Sequence, residues 1–422
     1  MRWLLTSWGS QGDLHPFLAL GRGLVARGHA VTLISHPVWE PAVERAGLRF
    51  VSTGEPLLEN FIRDHPQLLS TKWGGLVSLH TLLYQAIVPG FDPTLASLLA
   101  QAPTHDAIVA HHFSFCAPLV AELSGLPWAT TTLAPGLVPS AYSLPGGNFG
   151  RTRHGFMGRC TNRLTWAVGK AITRAMFDPA VNRLRAKHGL CPIRDAIFEA
   201  HSPVLNLQLY SEHFAPRPPD WSPEKRFAGF CFYDPPPDVA LDPVIEEFLN
   251  RGEPPVLFTL GSTAVKSAGT FYSLAVEALS ALGLRGILLI GDEENRPANL
   301  PDSILAVPYA PYGLLMPRVR AVAHQCGIGT LSHALRAGIP SIAYPFAFDQ
   351  PNNARRLEAL GVAEVILPRE RTVGHLTAAL RKLLAGDAAV RAQRLGELIR
   401  AEDGVGRACE ILEETLGRAG PR

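Results

Sequence analysis

Three stretches of this chain gather small residues with hydroxyl, amide or carboxylate groups at spacings that chemistry can use. The first is Gly9-Ser10-Gln11-Gly12-Asp13. It follows a short apolar run and opens a helix-like segment at 14–27. Its spacing is GxxG, not GxGxxG, and the next apolar run, AVTLIS, ends in Ser35-His36 with no acid to take a ribose hydroxyl. Both features argue against NAD or FAD here. Asp13 has two readings. It is a general base for an acceptor hydroxyl, or it caps its helix. His15, two residues on, is a weaker base candidate.

The second stretch is His324-Gln325-Cys326-Gly327-Ile328-Gly329-Thr330, again between an apolar run and a helix-like segment. Small residues let backbone N–H groups approach a diphosphate, and the helix N-terminus favours its charge. Thr330 offers a hydroxyl, and His324 a hydrogen bond or a positive charge. The competing reading is a tight turn with a buried histidine. The third stretch, Pro345 to Ala354, carries Asp349-Gln350 one βα unit later. An acceptor beside an amide suits paired sugar hydroxyls, and Asn353 closes the stretch. Helix capping near Pro351 would need only one of these residues. Tyr309-Ala310-Pro311 and Gly261-Ser262-Thr263 stand at further strand ends. The tyrosine ring can stack on a nucleobase, and Ser262 and Thr263 can donate to phosphate oxygens. The bland alternatives are a half-buried tyrosine and a capping turn.

Elements must carry these residues. Apolar runs at 3–7, 31–35, 107–110, 128–132 and 204–209 alternate with amphipathic segments, and runs at 256–260, 286–290, 304–307, 321–324 and 341–344 repeat the pattern. Short, continuous Val, Ile and Leu runs mark parallel strands covered on both faces. The predicted fold is therefore α/β, with two Rossmann-like doubly wound parallel sheets. Ligands in such folds sit outside the carboxyl ends of the strands. The 422 residues allow two or three domains at roughly 100–200 residues each. A stretch with seven prolines near 215–240 supplies a stiff joint. The expected division is an acceptor-binding domain at 1–215, a linker at 216–240, a nucleotide-sugar domain at 241–400, and a C-terminal helix at 401–422 that packs back on the first domain.

Composition removes several function classes. With 39 basic and 37 acidic residues, the net charge of +2 makes no case for nucleic acid. The six cysteines form no CxxC pair, and neither a zinc site nor a disulfide framework is expected. The one tight acidic cluster, Asp292-Glu293-Glu294, falls in a surface loop, so no metal is expected. The N-terminal apolar run is too short for a signal peptide, and no stretch reaches ~20 uninterrupted apolar residues. A cytoplasmic location is expected. Between 151 and 190, Arg151, Arg153, Arg159, Arg163, Lys170 and Arg174 interleave with Phe156, Met157 and Trp166. This segment reads as a helix with a solvated basic face or as one that meets a membrane surface.

Taken together, Tyr309-x-Pro311, HQCGIGT and DQxxNA resemble the GT-B glycosyltransferases of family 1, over about residues 4–400. GSQGDLHPFLALGRGLVARGHAV resembles the opening of bacterial macrolide-, glycopeptide- and sterol-type members. The likeness is greatest to rhamnolipid-type rhamnosyltransferase catalytic subunits, through VLFTLGST, YAPYGLLMPR and HQCGIGTLSHALRAGIP. The resemblance implies roles by position. Asp13 matches the base, Tyr309 the base-stacking aromatic, and Ser262, Gly327, Gly329 and Thr330 the diphosphate contacts. Asp349 and Gln350 match the sugar contacts. Many bacterial members carry a second histidine at the position of Gln325, and it binds phosphate there. The glutamine brings no charge, and rhamnolipid-type members share this departure.

The expected activity is inverting, metal-independent transfer of a hexose from a dTDP- or UDP-sugar, dTDP-rhamnose before UDP-glucose, to a hydroxyl of an apolar or lipid acceptor. Trp8, Trp73, Leu79, Leu82, Leu83, Ile87 and Phe113 are candidates for the acceptor wall. Two rival readings stand beside it: a nucleotide-sugar epimerase or hydrolase of the same fold, and a non-catalytic helper.

Overall fold

The computed structural model describes residues 1–53, 58–69, 79–236 and 238–417. The chain divides into two units. The first holds 1–53, 58–61, 79–233 and 402–417, and the second 62–69, 234–236 and 238–401.

The first unit is built on seven parallel strands: β1 (Arg2–Thr6), β2 (Ala30–Ser35), β3 (Arg49–Ser52), β4 (Ala107–His111), β5 (Trp128–Thr132), β6 (Asn206–Gln208) and β7 (Lys225–Phe227). Their order is β3-β2-β1-β4-β5-β6-β7. The second unit has six: β8 (Val256–Thr259), β9 (Gly286–Leu289), β10 (Ile304–Val307), β11 (Ala321–His324), β12 (Ser341–Ala343) and β13 (Ala363–Val365). Their order is β10-β9-β8-β11-β12-β13. Every pairing is parallel. The two sheets thus share the doubly wound plan, and each reverses its strand order between its first and fourth strands, which is where such folds bind ligands.

The central strands are buried on both faces because their side chains are apolar up to the last position: β4 and β8 are buried at every position and end in His111 and Thr259. The proline-rich stretch contributes β7, paired in register with β6. The C-terminal helix Gly404–Leu416 packs on the first helix, Gln11–Ala26. Gly23 allows this approach, since a Cβ there would lie 2.5 Å from Val405 Cγ1. Arg27 and His29 both reach Glu413, at 2.7 and 2.8 Å. The Arg27 hydrogen bond draws the Glu413 carboxyl down to about 2. Most of the basic segment forms one helix, Gly155–Lys187, with Arg151 and Arg153 just before it. Among the described residues no helix is long and apolar enough to cross a membrane.

Candidate active site

In the first unit the switch point lies between β1 and β4. The chain leaves β1 through Ser7-Trp8-Gly9-Ser10 and enters the helix at Gln11. Gly9 has φ of 127°, and a Cβ there would sit 2.3 Å from Asp13 Oδ2. Only glycine lets the turn close over that carboxylate. The Ser10 N–H and hydroxyl donate to Asp13 Oδ2 at 2.7 and 2.9 Å. Asp13 therefore caps its helix, but with one oxygen. The other, Oδ1, lies 3.6 Å from His111 Nε2 at the end of β4. His111 is buried, and its Nδ1 accepts from the Phe113 N–H at 3.3 Å. In the neutral ring that leaves the proton on Nε2, aimed at Asp13. The Asp13 side chain keeps 27% of its surface exposed, so Oδ1 remains within reach of a ligand.

His15 stacks at a tilt against Tyr233, with ring centroids 5.5 Å apart. Burial pushes its imidazole down to about 4, so it stays neutral near pH 7. The expected acceptor wall separates into parts. Trp8 borders an open concavity with Ser7, Gly9, Ser35, His36 and Trp39. Phe113 is half-buried and packs on His111, with ring centroids 5.7 Å apart. Leu79 is half-buried against the core. Leu82, Leu83 and Ile87 are buried within the same core cluster as Trp8. Trp73 lies outside the described residues.

In the second unit the switch point lies between β8 and β11. Gly261-Ser262-Thr263-Ala264 forms a single helical turn after β8, with Ser262 and Thr263 half-buried. Gly261 has φ of 64°, and a Cβ there would meet Gln325 Nε2 at 2.3 Å. Gln325 therefore fills the space between the two turns, and its Nε2 donates to Thr330 Oγ1 at 3.3 Å. Cys326 takes the left-handed conformation, φ 67°, and its N–H donates to His324 Nδ1 at 3.0 Å. Gly327 then caps the helix Ile328–Ala337 with no side-chain capping bond to the first-turn N–H groups. Those donors point to the same end as the carboxyl ends of the strands. The positive charge expected of His324 is not available. The ring is fully buried, and burial pushes it down to about 3.

One residue joins this turn to the third stretch. Asn353, fully buried, donates from Nδ2 to the Cys326 carbonyl at 3.0 Å and to Asp349 Oδ2 at 2.6 Å. Asp349 stands at the N-cap position of the helix Gln350–Ala359 without a side-chain capping bond. Its carboxylate is held by Asn353 beside the turn at 324–330. Gln350 folds back, so that its Oε1 accepts from the Phe346 and Ala347 N–H groups at 2.8 and 3.2 Å. Its amide nitrogen is left as a donor, whereas the residue was expected both to accept and to donate. Tyr309 presents a 64% exposed ring after β10, while Ala310 is buried and offers only backbone to a ligand.

Three contributors were not anticipated. His111 faces Asp13, although an imidazole at the end of a strand next to the switch point is a readable signal. Tyr312 ties β8 to the site through a 2.8 Å bond between its hydroxyl and Thr259 Oγ1. Arg371 lies over the rings of Phe346 and Tyr344 at 4.2 and 4.5 Å and donates to the Pro345 carbonyl at 2.8 Å, which clamps the loop before Asp349. Among the described residues no group of three or more His, Cys, Asp or Glu is placed to hold a metal ion.

Residues 3–143 match the glycosyltransferase family 28 N-terminal domain, and residues 278–403 match the erythromycin biosynthesis protein CIII-like C-terminal domain. The chain is 35% identical to the O-mycaminosyltylonolide 6-deoxyallosyltransferase of Streptomyces fradiae, over 98% of this chain and 97% of that protein. It is 27% identical to a sterol 3-beta-glucosyltransferase of Aspergillus fumigatus, covering 97% of this chain but 29% of that protein. The crystal structure of the glycosyltransferase VinC in complex with DTDP superposes with a TM-score of 0.71 at 21% identity, covering 99% of this chain and 100% of that one. The expected nearness to rhamnolipid-type rhamnosyltransferases gives way to the Streptomyces relative, whose likeness runs the length of both chains. This chain belongs to the GT-B glycosyltransferases, among those with a family 28 N-terminal half and an erythromycin CIII-like C-terminal half.

Proposed function

We propose that the enzyme transfers a 6-deoxyhexose from its dTDP-sugar to a free hydroxyl of a macrolide-type acceptor, with inversion and without a metal. The observation that carries this reading is the junction at Asn353, which holds a carboxylate beside a helix N-terminus free of acidic side chains. A diphosphate and its sugar need those two features side by side. The first-turn N–H groups of Ile328, Gly329 and Thr330, with Gln325 and the Ser262 and Thr263 hydroxyls, take the diphosphate. Asp349 and the Gln350 amide take the sugar hydroxyls, and the exposed Tyr309 ring stacks on thymine.

In the first unit, Asp13 Oδ1 accepts the proton of the acceptor hydroxyl as its oxygen attacks the anomeric carbon. The bond from that carbon to the diphosphate breaks, and its electron pair leaves with the diphosphate. His111, with its proton on Nε2, cannot be the base toward Asp13 and serves to orient the carboxylate. Rhamnose and 6-deoxyallose are both 6-deoxyhexoses. The Streptomyces relative, a 6-deoxyallosyltransferase by name, favours that sugar class over glucose.

The test is nucleotide release from a panel of dTDP- and UDP-sugars, with and without O-mycaminosyltylonolide as acceptor. Release from dTDP-6-deoxyhexoses that requires the acceptor is expected. Acceptor-independent release would turn the reading to a hydrolase or epimerase, and no release with any pair would sink the enzyme reading for this acceptor class.

A further inference from the structure

The helix Gly155–Lys187 is apolar on two opposite faces. Its inner face is fixed. The Trp166 indole donates to the Ser143 carbonyl at 2.8 Å, and Asn162 Nδ2 to the Ala141 carbonyl at 2.9 Å. At about 3.6 residues per turn, Phe156, Met157, Leu164 and Val168 fall on the other side. They are 72%, 75%, 66% and 53% exposed. Water would be expected to select charge at such positions, and large exposed apolar patches mark contact surfaces.

The stretch of chain that carries these side chains bears charge of one sign. From residue 123 to residue 177 the chain has no Asp or Glu, and it has six Lys or Arg: Arg151, Arg153, Arg159, Arg163, Lys170 and Arg174. Lys170 and Arg174 are neutralised by Glu199 and Asp195. Arg153, Arg159 and Arg163 have no carboxylate partner among the described residues, and Arg159 lies over the half-exposed Tyr142 ring at 5.7 Å. The uncompensated cations therefore flank the part of the helix where the apolar side chains are most exposed.

We propose that this face docks on the surface of a bilayer containing anionic phospholipid. The apolar side chains enter the headgroup–acyl boundary, and the arginines meet lipid phosphates. A second copy of the chain fits less well, because a two-fold pairing of this face would gather six uncompensated arginines in one interface. A neutral lipid surface would leave those arginines unanswered.

The experiment is flotation of the full chain with vesicles of phosphatidylglycerol and phosphatidylcholine, against vesicles of phosphatidylcholine alone. Flotation with the anionic vesicles only is expected, with release at about 0.5 M salt, where charges are screened within a few ångströms. Replacing Arg153, Arg159 and Arg163 together by Gln should weaken vesicle binding about fivefold per arginine. The Phe156→Ser, Met157→Ser, Leu164→Ser variant should abolish it. These side chains are exposed, so unchanged thermal midpoints verify folding, and the salt dependence of the wild type tests the proposal without any variant. Absence of flotation with anionic vesicles, or equal flotation of both variants and the wild type, overturns it. So does a wild-type dimer in gel filtration that the serine variant dissociates, since the face would then be covered by a second copy.

Discussion

The two switch points of this protein share a topology and differ in charge. In both, the first strand of the sheet ends in a glycine turn, and the neighbouring fourth strand ends in a histidine: Gly9 with His111 in one, Gly261 with His324 in the other. In the first unit an acid occupies the third helical position, and its Oδ2 already takes the Ser10 donors. A diphosphate there would meet a carboxylate. In the second unit the turn carries no acid, its glutamine is neutral, and the helix N-terminus keeps its donors. On the proposed function, the same backbone device serves as a proton-accepting site in one unit and an anion-accepting site in the other, and the side chain at the start of the helix decides which.

The sharpest break of this comparison is to remove the acid. Asp13→Asn keeps an oxygen for the cap but cannot accept a proton. Turnover is expected to fall by about 10²–10⁴-fold, the range for a lost general base. Donor affinity, read by titration with dTDP, should stay within about twofold, because the donors of the second unit are untouched. Wild-type turnover in this variant would leave Asp13 with the cap alone.

The next largest effect is expected at Asn353→Ala. The substitution removes a side chain that bonds both Cys326 and Asp349, and it strands the buried Cys326 carbonyl. A loss of about 1–3 kcal/mol in stability follows from an unsatisfied buried group. Donor binding should weaken by about tenfold, because the Asp349 carboxylate loses the amide that holds it beside the turn. A drop in stability with unchanged donor affinity would confine Asn353 to folding. Asp349→Ala separates the sugar from the phosphates. It should weaken the dTDP-sugar by about tenfold and bare dTDP by far less, and equal weakening of both would place Asp349 away from the sugar.

These residues were legible in the sequence to different degrees, for physical reasons. Strands covered on both faces announce themselves as apolar runs, which is why the central strands of both sheets are readable. β3, β7 and β13 are not, because each lies at a sheet edge with half-exposed positions and a mixed composition. Asp13 and the turn at 324–330 are local motifs, and local spacing exposes them. The partners of those motifs come through the sheet. His111 reaches Asp13 across about a hundred residues of chain, and Asn353 reaches the Cys326 carbonyl only because β11 and β12 are neighbours. The charge state of His324 was out of reach for the same reason. It depends on the packing around the end of β11, where the ring has no exposed surface.

That charge state yields the smallest effect and the last test of the contrast between the two units. A histidine at a phosphate turn invites the expectation that donor binding strengthens as the pH falls. Here the His324 ring is held at about 3 by burial, below the ordinary value of about 6.5. Between these values the unfolded chain binds the proton and the folded chain does not. The stabilising contribution is therefore complete above about 6.5 and is lost as the pH falls toward 3. Acid should loosen the fold and add no charge to the turn. Affinity for a dTDP-sugar, whose diphosphate has no titration of its own near neutrality, is expected to change by less than about twofold between pH 8 and pH 6, while the thermal midpoint declines below about pH 6. A clear gain in affinity on acidification would mean that His324 is charged in the complex, and the anion site would then rest on an imidazolium as well as on a helix N-terminus.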